Sequence, residues 1–346
     1  LSLTAPEVET DKISLMYQTP YAVAQIADGD LAKWRSPAEF DDLALPKANP
    51  YIPDDLSLLG SNEELKTPQL ILDSEEVSAW HFPDTRFGVP KAHIIASLQT
   101  PGIDSPEAFA ALELYLAYIN DQLSAAVYPA REAGLSFSLR PSDRGIAIVV
   151  GGYSDKQAVL LDDILTALKS PDWDSARFEL IQQSLSRDMS NFAQQYPFRQ
   201  VVASFNAIIK GQWTPLQKVA GVEQLSMAEL KLFAANVLGN LELEVLISGN
   251  HDQASAMQLV SSLSSWTELQ QTVVTQSVAK LSLGEQRAQI PVDHTDAALM
   301  LYLQGRDDSL TERAHMLLLG EMLASPFYTS LRTEKQLGYV VAAFAS

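Results

Sequence analysis

The chain has 346 residues, 47% of them hydrophobic, which is enough for two or three domains with sizeable cores. Its 24 basic and 43 acidic side chains leave a net charge of -19, which argues against nucleic acid as a partner, because phosphate binding needs a basic face. The longest apolar runs are far too short to span a bilayer, and the absence of cysteine excludes disulfides and thiolate metal sites.

Prolines at 20, 37, 46, 50 and 53 punctuate the first seventy residues, where only a weak helix over residues 37–43 is expected. The chain opens on Leu1 rather than Met, and a beginning at a cut is the expectation. From Trp80 the pattern becomes that of a folded unit. Residues 89–100 read as a strand. Ser105, Pro106 and Glu107 then start a helix, with a capping hydroxyl, a proline in the first turn and an acid against the dipole. That helix is expected to run to Tyr128, just before Pro129. Residues 135–139 and 146–150 read as a hairpin, with Gly151-Gly152 as a turn after its second strand. Helices are expected at 155–168, 174–196 and 198–209. Ser226 with Glu229 forms a capping box whose helix Gly239 closes. Residues 241–247 alternate as a strand, and His251 to Trp266 read as a helix. A polar stretch over 267–285 reads as a linker. The pattern then restarts, with a strand at 297–304, a helix capped by Ser309, and Gly338 as its breaker before another strand.

The restart has a register. A shift of 204 residues superposes Asp104-Ser105 on Asp308-Ser309, Leu114 on Leu318, Gly134 on Gly338, and residues 135–139 on 339–343. Strand, helix, glycine and strand thus occur twice at domain-sized spacing, which favours duplicated units over a solenoid of short repeats.

The run Leu331-Arg332-Thr333-Glu334-Lys335-Gln336-Leu337-Gly338-Tyr339-Val340-Val341 resembles the L-R-T-x-x-Q-L-G-Y-x-V signature of the pitrilysin/insulinase family of zinc metalloendopeptidases. Weaker matches cover most of the rest. Gly151-Gly152-Tyr153-Ser154-Asp155-Lys156-Gln157 resembles a G-Y-x-D-K-Q element, and Trp80, Asp84, Phe87, Pro90 and Lys91 match the opening of the family's third unit. Two early phrases, around Met16 to Tyr21 and Leu45 to Pro53, resemble the end of its second unit, although Gln18 stands where the family usually has glycine.

The resemblance implies an α+β fold of tandem duplicated units, each an antiparallel sheet with helices packed on one face. Residues 1–70 would be the tail of the second unit and an inter-half linker. Residues 71–272 would be a complete non-catalytic third unit, and 273–346 a linker and the start of a fourth. It also implies peptide substrates enclosed in a chamber, with zinc bound by an N-terminal catalytic half of the same polypeptide. A periplasmic or secreted location is expected over a cytoplasmic one.

Zinc hydrolysis in that family uses H-x-x-E-H. Here His81, His93, His251, His294 and His315 stand alone, none with a second histidine within five positions. In the third unit, the helix topologically equivalent to the metal helix reads Phe109 to Leu116, a packing sequence, so no metal ligands are expected in this chain. Glu312 and His315 share a helical face, but a carboxylate-bridged site needs a second such pair, and the bland surface pair is the expectation. Neither a G-x-S-x-G nucleophile nor a phosphate loop is present.

By resemblance, Arg332 holds the substrate backbone, and Tyr339 binds substrate and donates its phenolic hydrogen to the scissile carbonyl. The competing reading makes Arg332 a partner of a nearby acid and Tyr339 a core-strand residue. A non-catalytic peptide-binding or structural unit of the same architecture is the alternative function.

Overall fold

Capping residues and alternating apolar positions set most of the elements. The computed structural model describes residues 2–36, 47–60, 66–210, 212–271 and 278–345. Contacts divide the chain into two units, Leu1–Ala48 and Asn49–Ser346.

The first unit holds a short ribbon of β1 (Lys12–Ile13) and β2 (Pro20–Tyr21), followed by α1 (Asp28–Arg35). Asp28 and Asp30 open α1 and Lys33 and Arg35 close it, each sign matched to its end of the helix dipole. Gln18 turns the ribbon with a left-handed φ of 53°. That backbone explains why a glycine is usual at this position in the resembling family. The weak helix expected over residues 37–43 lies outside the described residues.

The second unit is built on β3 (Gln69–Asp73), β4 (Val77–Phe82), β5 (Lys91–Gln99), α2 (Pro106–Glu132), β6 (Leu135–Ser142) and β7 (Gly145–Tyr153). It continues through α3 (Gln157–Lys169), α4 (Ser175–Ser190), α5 (Pro197–Lys210), α6 (Pro215–Gln224), α7 (Met227–Leu238), β8 (Glu242–Gly249) and α8 (Gln253–Ser265) to α9 (Leu310–Tyr328). Six strands form one sheet in the order β3-β4-β8-β5-β7-β6. The fold is α+β. Its sheet is mixed rather than purely antiparallel, because β8 returns through a long helical excursion and lies parallel to β4.

Period-two alternation sends Ala79, Val245, Ala96, Ile148 and Leu139, neighbours across five strands, to one buried face. Helices α2, α3 and α8 pack on the sheet from that side. Leu112, Leu114, Leu116 and Ile119 of α2 are fully buried in this core, each contributing roughly 1.5–3 kcal/mol of apolar transfer. The opposite row, Leu70, Trp80, Leu246, Ile95 and Val149, stays partly open.

Several sequence expectations are corrected. Helix α2 does not stop before Pro129 but runs one turn further. Proline removes one donor there, and the Ala133 N–H closes the end on the Pro129 carbonyl at 3.1 Å. Gly151-Gly152 is not a turn; both lie inside β7. Gly152 has φ 112°, and a Cβ there would come within 2.2 Å of the Gly134 carbonyl oxygen, so the glycine allows two backbones to meet. Helix α6 was not anticipated, although Thr214 and Gln217 form a full capping box.

The restart is only half realised. Ser105 and Ser309 cap α2 and α9 in the same way, each accepting the N–H three residues on. Gly134 has φ 82°, whereas Gly338 has no positive φ. No strand forms over residues 297–304 or 335–345.

Candidate functional site

Helix α9 passes into a six-residue π-helical turn, Thr329–Glu334, that carries Arg332. The helix is closed not by Gly338 but by Gln336, which takes the left-handed φ of 51°. Two backbone bonds wrap this turn, Lys335 N–H to the Ser330 carbonyl and Leu337 N–H to the Leu331 carbonyl, both 3.0 Å. A π-turn followed by a non-glycine left-handed residue is strained backbone, and such strain concentrates at functional sites.

The turn brings the two sequence-predicted site residues together. The Arg332 guanidinium carbon lies 4.7 Å from the centre of the Tyr339 ring, and its Nη1 donates to the Gly338 carbonyl at 3.3 Å. Tyr339 is 84% exposed and sits in no strand, so it does not fill a core. Arg332 has no carboxylate partner, and the Tyr339 hydroxyl no hydrogen-bond partner, among the described residues. Together they present a cation, an aromatic face and a free phenolic donor.

Glu312 and His315 also meet, at 3.6 Å, but the carboxylate is committed elsewhere. It accepts the Arg306 backbone N–H at 3.0 Å and faces the Arg306 guanidinium at 3.3 Å, which hold its carboxyl below the usual range. No group of three or more histidine, aspartate or glutamate side chains stands ready to hold a metal among the described residues. Helix α2 offers no histidine at all.

A pair of buried histidines is structural and was not legible in the sequence. The His81 Nε2–H donates to the His251 carbonyl at 2.8 Å. His251 faces Gln157 Oε1 through Nε2 at 2.9 Å and Ser255 Oγ through Nδ1 at 2.7 Å. The Gln157 amide nitrogen already donates to the Ala92 and Gly152 carbonyls. Its oxygen must therefore accept, which puts the proton on His251 Nε2 and makes Nδ1 the acceptor from Ser255. Burial, then the neighbouring His81, push the His251 pKa down to about 4. With both ring nitrogens occupied, His251 has no lone pair left for a metal.

The stretch expected as a linker is partly docked. Its Ala279 N–H bonds the Ile209 carbonyl of α5 at 2.7 Å, and Tyr302, further on, packs edge-on against Phe205 at 4.8 Å.

Comparison with known proteins covers nearly the whole chain. Residues 1–221 match the model described as the middle or third domain of peptidase M16, and residues 224–346 match the peptidase M16 inactive domain. The chain is 26% identical to insulin-degrading enzyme of Bos taurus over 97% of its own length and 34% of that protein. It is 26% identical to the peroxisomal insulin-degrading enzyme-like 1 of Arabidopsis thaliana, over 97% of this chain and 36% of the relative. Against the A-factor-processing enzyme of Saccharomyces cerevisiae the identity is 25%, over 99% and 34%. The chain thus spans about a third of the curated relatives it matches. The crystal structure of pitrilysin aligns with a TM-score of 0.72 at 22% identity, covering 98% of this chain and 37% of that one, which shows the shared fold.

Proposed function

Since the chain belongs to the peptidase M16 family, we propose that it is part of a zinc metalloendopeptidase that degrades peptides in a closed chamber. In this reading the chain supplies chamber wall and substrate contacts, while the zinc is held by an N-terminal catalytic half outside this sequence. No group of three or more metal-ligating side chains occurs among the described residues, and in this reading the metal's chemistry, activation of a water for attack on the amide, would lie with that other half. The names of the relatives, insulin-degrading enzyme and A-factor-processing enzyme, support polypeptide as the substrate class.

The observation that carries the reading is the exposed Tyr339 beside Arg332 on one strained turn. As water attacks the scissile carbonyl, negative charge develops on its oxygen. A phenolic O–H aimed there stabilises that charge more than it stabilises the ground-state carbonyl, which is what raises kcat. The open sheet row of Leu70, Trp80, Leu246, Ile95 and Val149 supports a second role as an apolar wall for peptide side chains.

The test is peptide turnover by the complete gene product and its Tyr339→Phe variant. The expected result is a fall in kcat of roughly 10²–10³ with little change in KM. Unchanged turnover removes Tyr339 from the mechanism. The 346-residue chain alone is expected to be inactive, and chelator-sensitive hydrolysis by the purified chain would contradict that.

A further inference from the structure

We propose that residues 49–60 form a strap, docked on the sheet unit, whose release lengthens the chain joining the two units and so slows peptide turnover. This rests on the reading of a closed chamber and adds a means of controlling it. The stretch expected as an inter-half linker is not free chain here. The two compact units divide between Ala48 and Asn49, and from Asn49 onward the chain is stitched to the second unit at four places. Asn49 Nδ2 donates to the Pro129 carbonyl of α2 at 2.7 Å, and the Tyr51 hydroxyl donates to Asp163 on α3. The Asp54 and Asp55 N–H groups share Asp155 Oδ2, just past β7, at 2.9 and 3.4 Å, and Lys156 Nζ meets Asp54 at 2.6 Å. Asn250, just past β8, accepts the Leu59 N–H and donates to the Ser57 carbonyl, both at 2.9 Å.

Local sequence prepares this path. Pro50 and Pro53 fix φ and bias Asn49 and Ile52 toward extended backbone. Asn49 Oδ1 accepts the Tyr51 N–H at 3.0 Å, and Asp55 Oδ1 the Ser57 N–H at 2.8 Å, so two turns are set by the strap's own side chains. The attachment is suited to reversal. Tyr51, 4% exposed, is the one buried residue of the strap, while Ile52, Leu56 and Leu58 are more than half exposed. A surface segment held mainly by polar contacts opens at a lower free energy than the core it lies on.

Chain length sets the size of the effect. Between α1 and the strap lie residues 36–48, 13 in number. Release adds residues 49–60, up to about 40 Å of extended chain. In the chamber reading the first unit belongs to the other half, and the effective concentration of one half at the other falls as roughly the −3/2 power of tether length. Nearly doubling the tether therefore lowers kcat/KM roughly threefold.

The test uses the complete gene product. Tyr51→Phe combined with Asp155→Ala removes two anchors, and the reporter is the Leu59 amide, whose own partner Asn250 is untouched. Its exchange should speed by about tenfold or more, with the Ile94 amide of β5 unchanged, and kcat/KM should fall roughly threefold. Inserting about twelve Gly and Ser residues between Ala48 and Asn49 lengthens the tether with the strap in place. The insertion should give the same fall with Leu59 exchange unchanged, and adding it to the anchor variant should cost less than about twofold more. If the insertion leaves turnover untouched, or the anchor variant does, the strap does not act through tether length and the proposal is overturned. A Leu59 amide that does not respond overturns it equally, since the anchors then act separately. If the complete product cleaves no peptide, the chamber reading fails instead. Spin labels at Lys33→Cys on α1 and Ser136→Cys on β6 then decide, and a separation that does not broaden in the anchor variant overturns the strap.

Discussion

Acid should loosen the sheet unit through one residue. His251 sits between β8 and α8, where α8 meets β4 and β8, 7% exposed, with both ring nitrogens bonded. The groups around it are His81 on β4, Gln157 at the start of α3, and Asp252 and Ser255 at the start of α8. Burial and His81 lower its pKa from 6.5 to about 4, while Asp252 opposes them. The folded state therefore binds the proton less well than the unfolded chain. Its neutral form contributes stability that is fully present above pH 6.5 and is lost as pH falls toward 4. The full depression corresponds to about 3 kcal/mol, of which about 2 kcal/mol is lost between pH 7 and pH 5. Urea unfolding followed by tryptophan emission at pH 7, 6 and 5 measures this directly. His251→Gln keeps an amide donor and acceptor but cannot titrate, so its stability should fall less steeply over the same window, by about 2 kcal/mol. Its absolute stability is lower at every pH, which is why the slope is the quantity compared. Carboxylates titrate alike in both proteins and cancel. Parallel slopes would refute the assignment of this window to His251.

Two further perturbations probe packing and the site turn. Lys218 on α6 meets Glu113 on α2 at 2.6 Å, with side chains only 8% and 20% exposed, and the second carboxylate oxygen of Glu113 has no hydrogen-bond partner among the described residues. Lys218→Met strands that carboxylate and should cost about 3 kcal/mol in urea unfolding; adding Glu113→Gln should recover most of it, and equal stability of the native protein and Lys218→Met would show that the pair is irrelevant. At Gln336, with φ 51°, Gln336→Gly should slow exchange of the Leu337 amide, whereas Gln336→Val should speed it at a local cost of about 1–2 kcal/mol; no difference between the two would contradict the left-handed backbone.

Helix starts were the most legible part of the fold, because a cap is a local event. Ser105, Ser226 with Glu229, and Ser309 each bind the N–H expected from spacing alone. Thr214-Pro215-Leu216-Gln217 carries the same local signal for α6. Arg332 and Tyr339 lie within eleven contiguous residues, so their nearness in space is likewise a local matter. Contacts set by topology left no trace. His81 and His251 are 170 residues apart and meet only because β4 and β8 are neighbours. Gly152 looks like a turn residue in sequence, and only its approach to Gly134 explains it.

The unformed strands make the same point about physics rather than pattern. Leu299, Leu301 and Leu303 alternate as a strand should, yet they are 95%, 80% and 54% exposed and pair with nothing among the described residues. Alternation records a face prepared for burial, but a strand exists only when a neighbour accepts its backbone hydrogen bonds. Residues 339–343 carry the same promise, and again no neighbouring strand meets them among the described residues. Helix α9, whose hydrogen bonds are internal, forms although none of its residues is buried and Leu310, Leu317, Leu318 and Met322 face solvent.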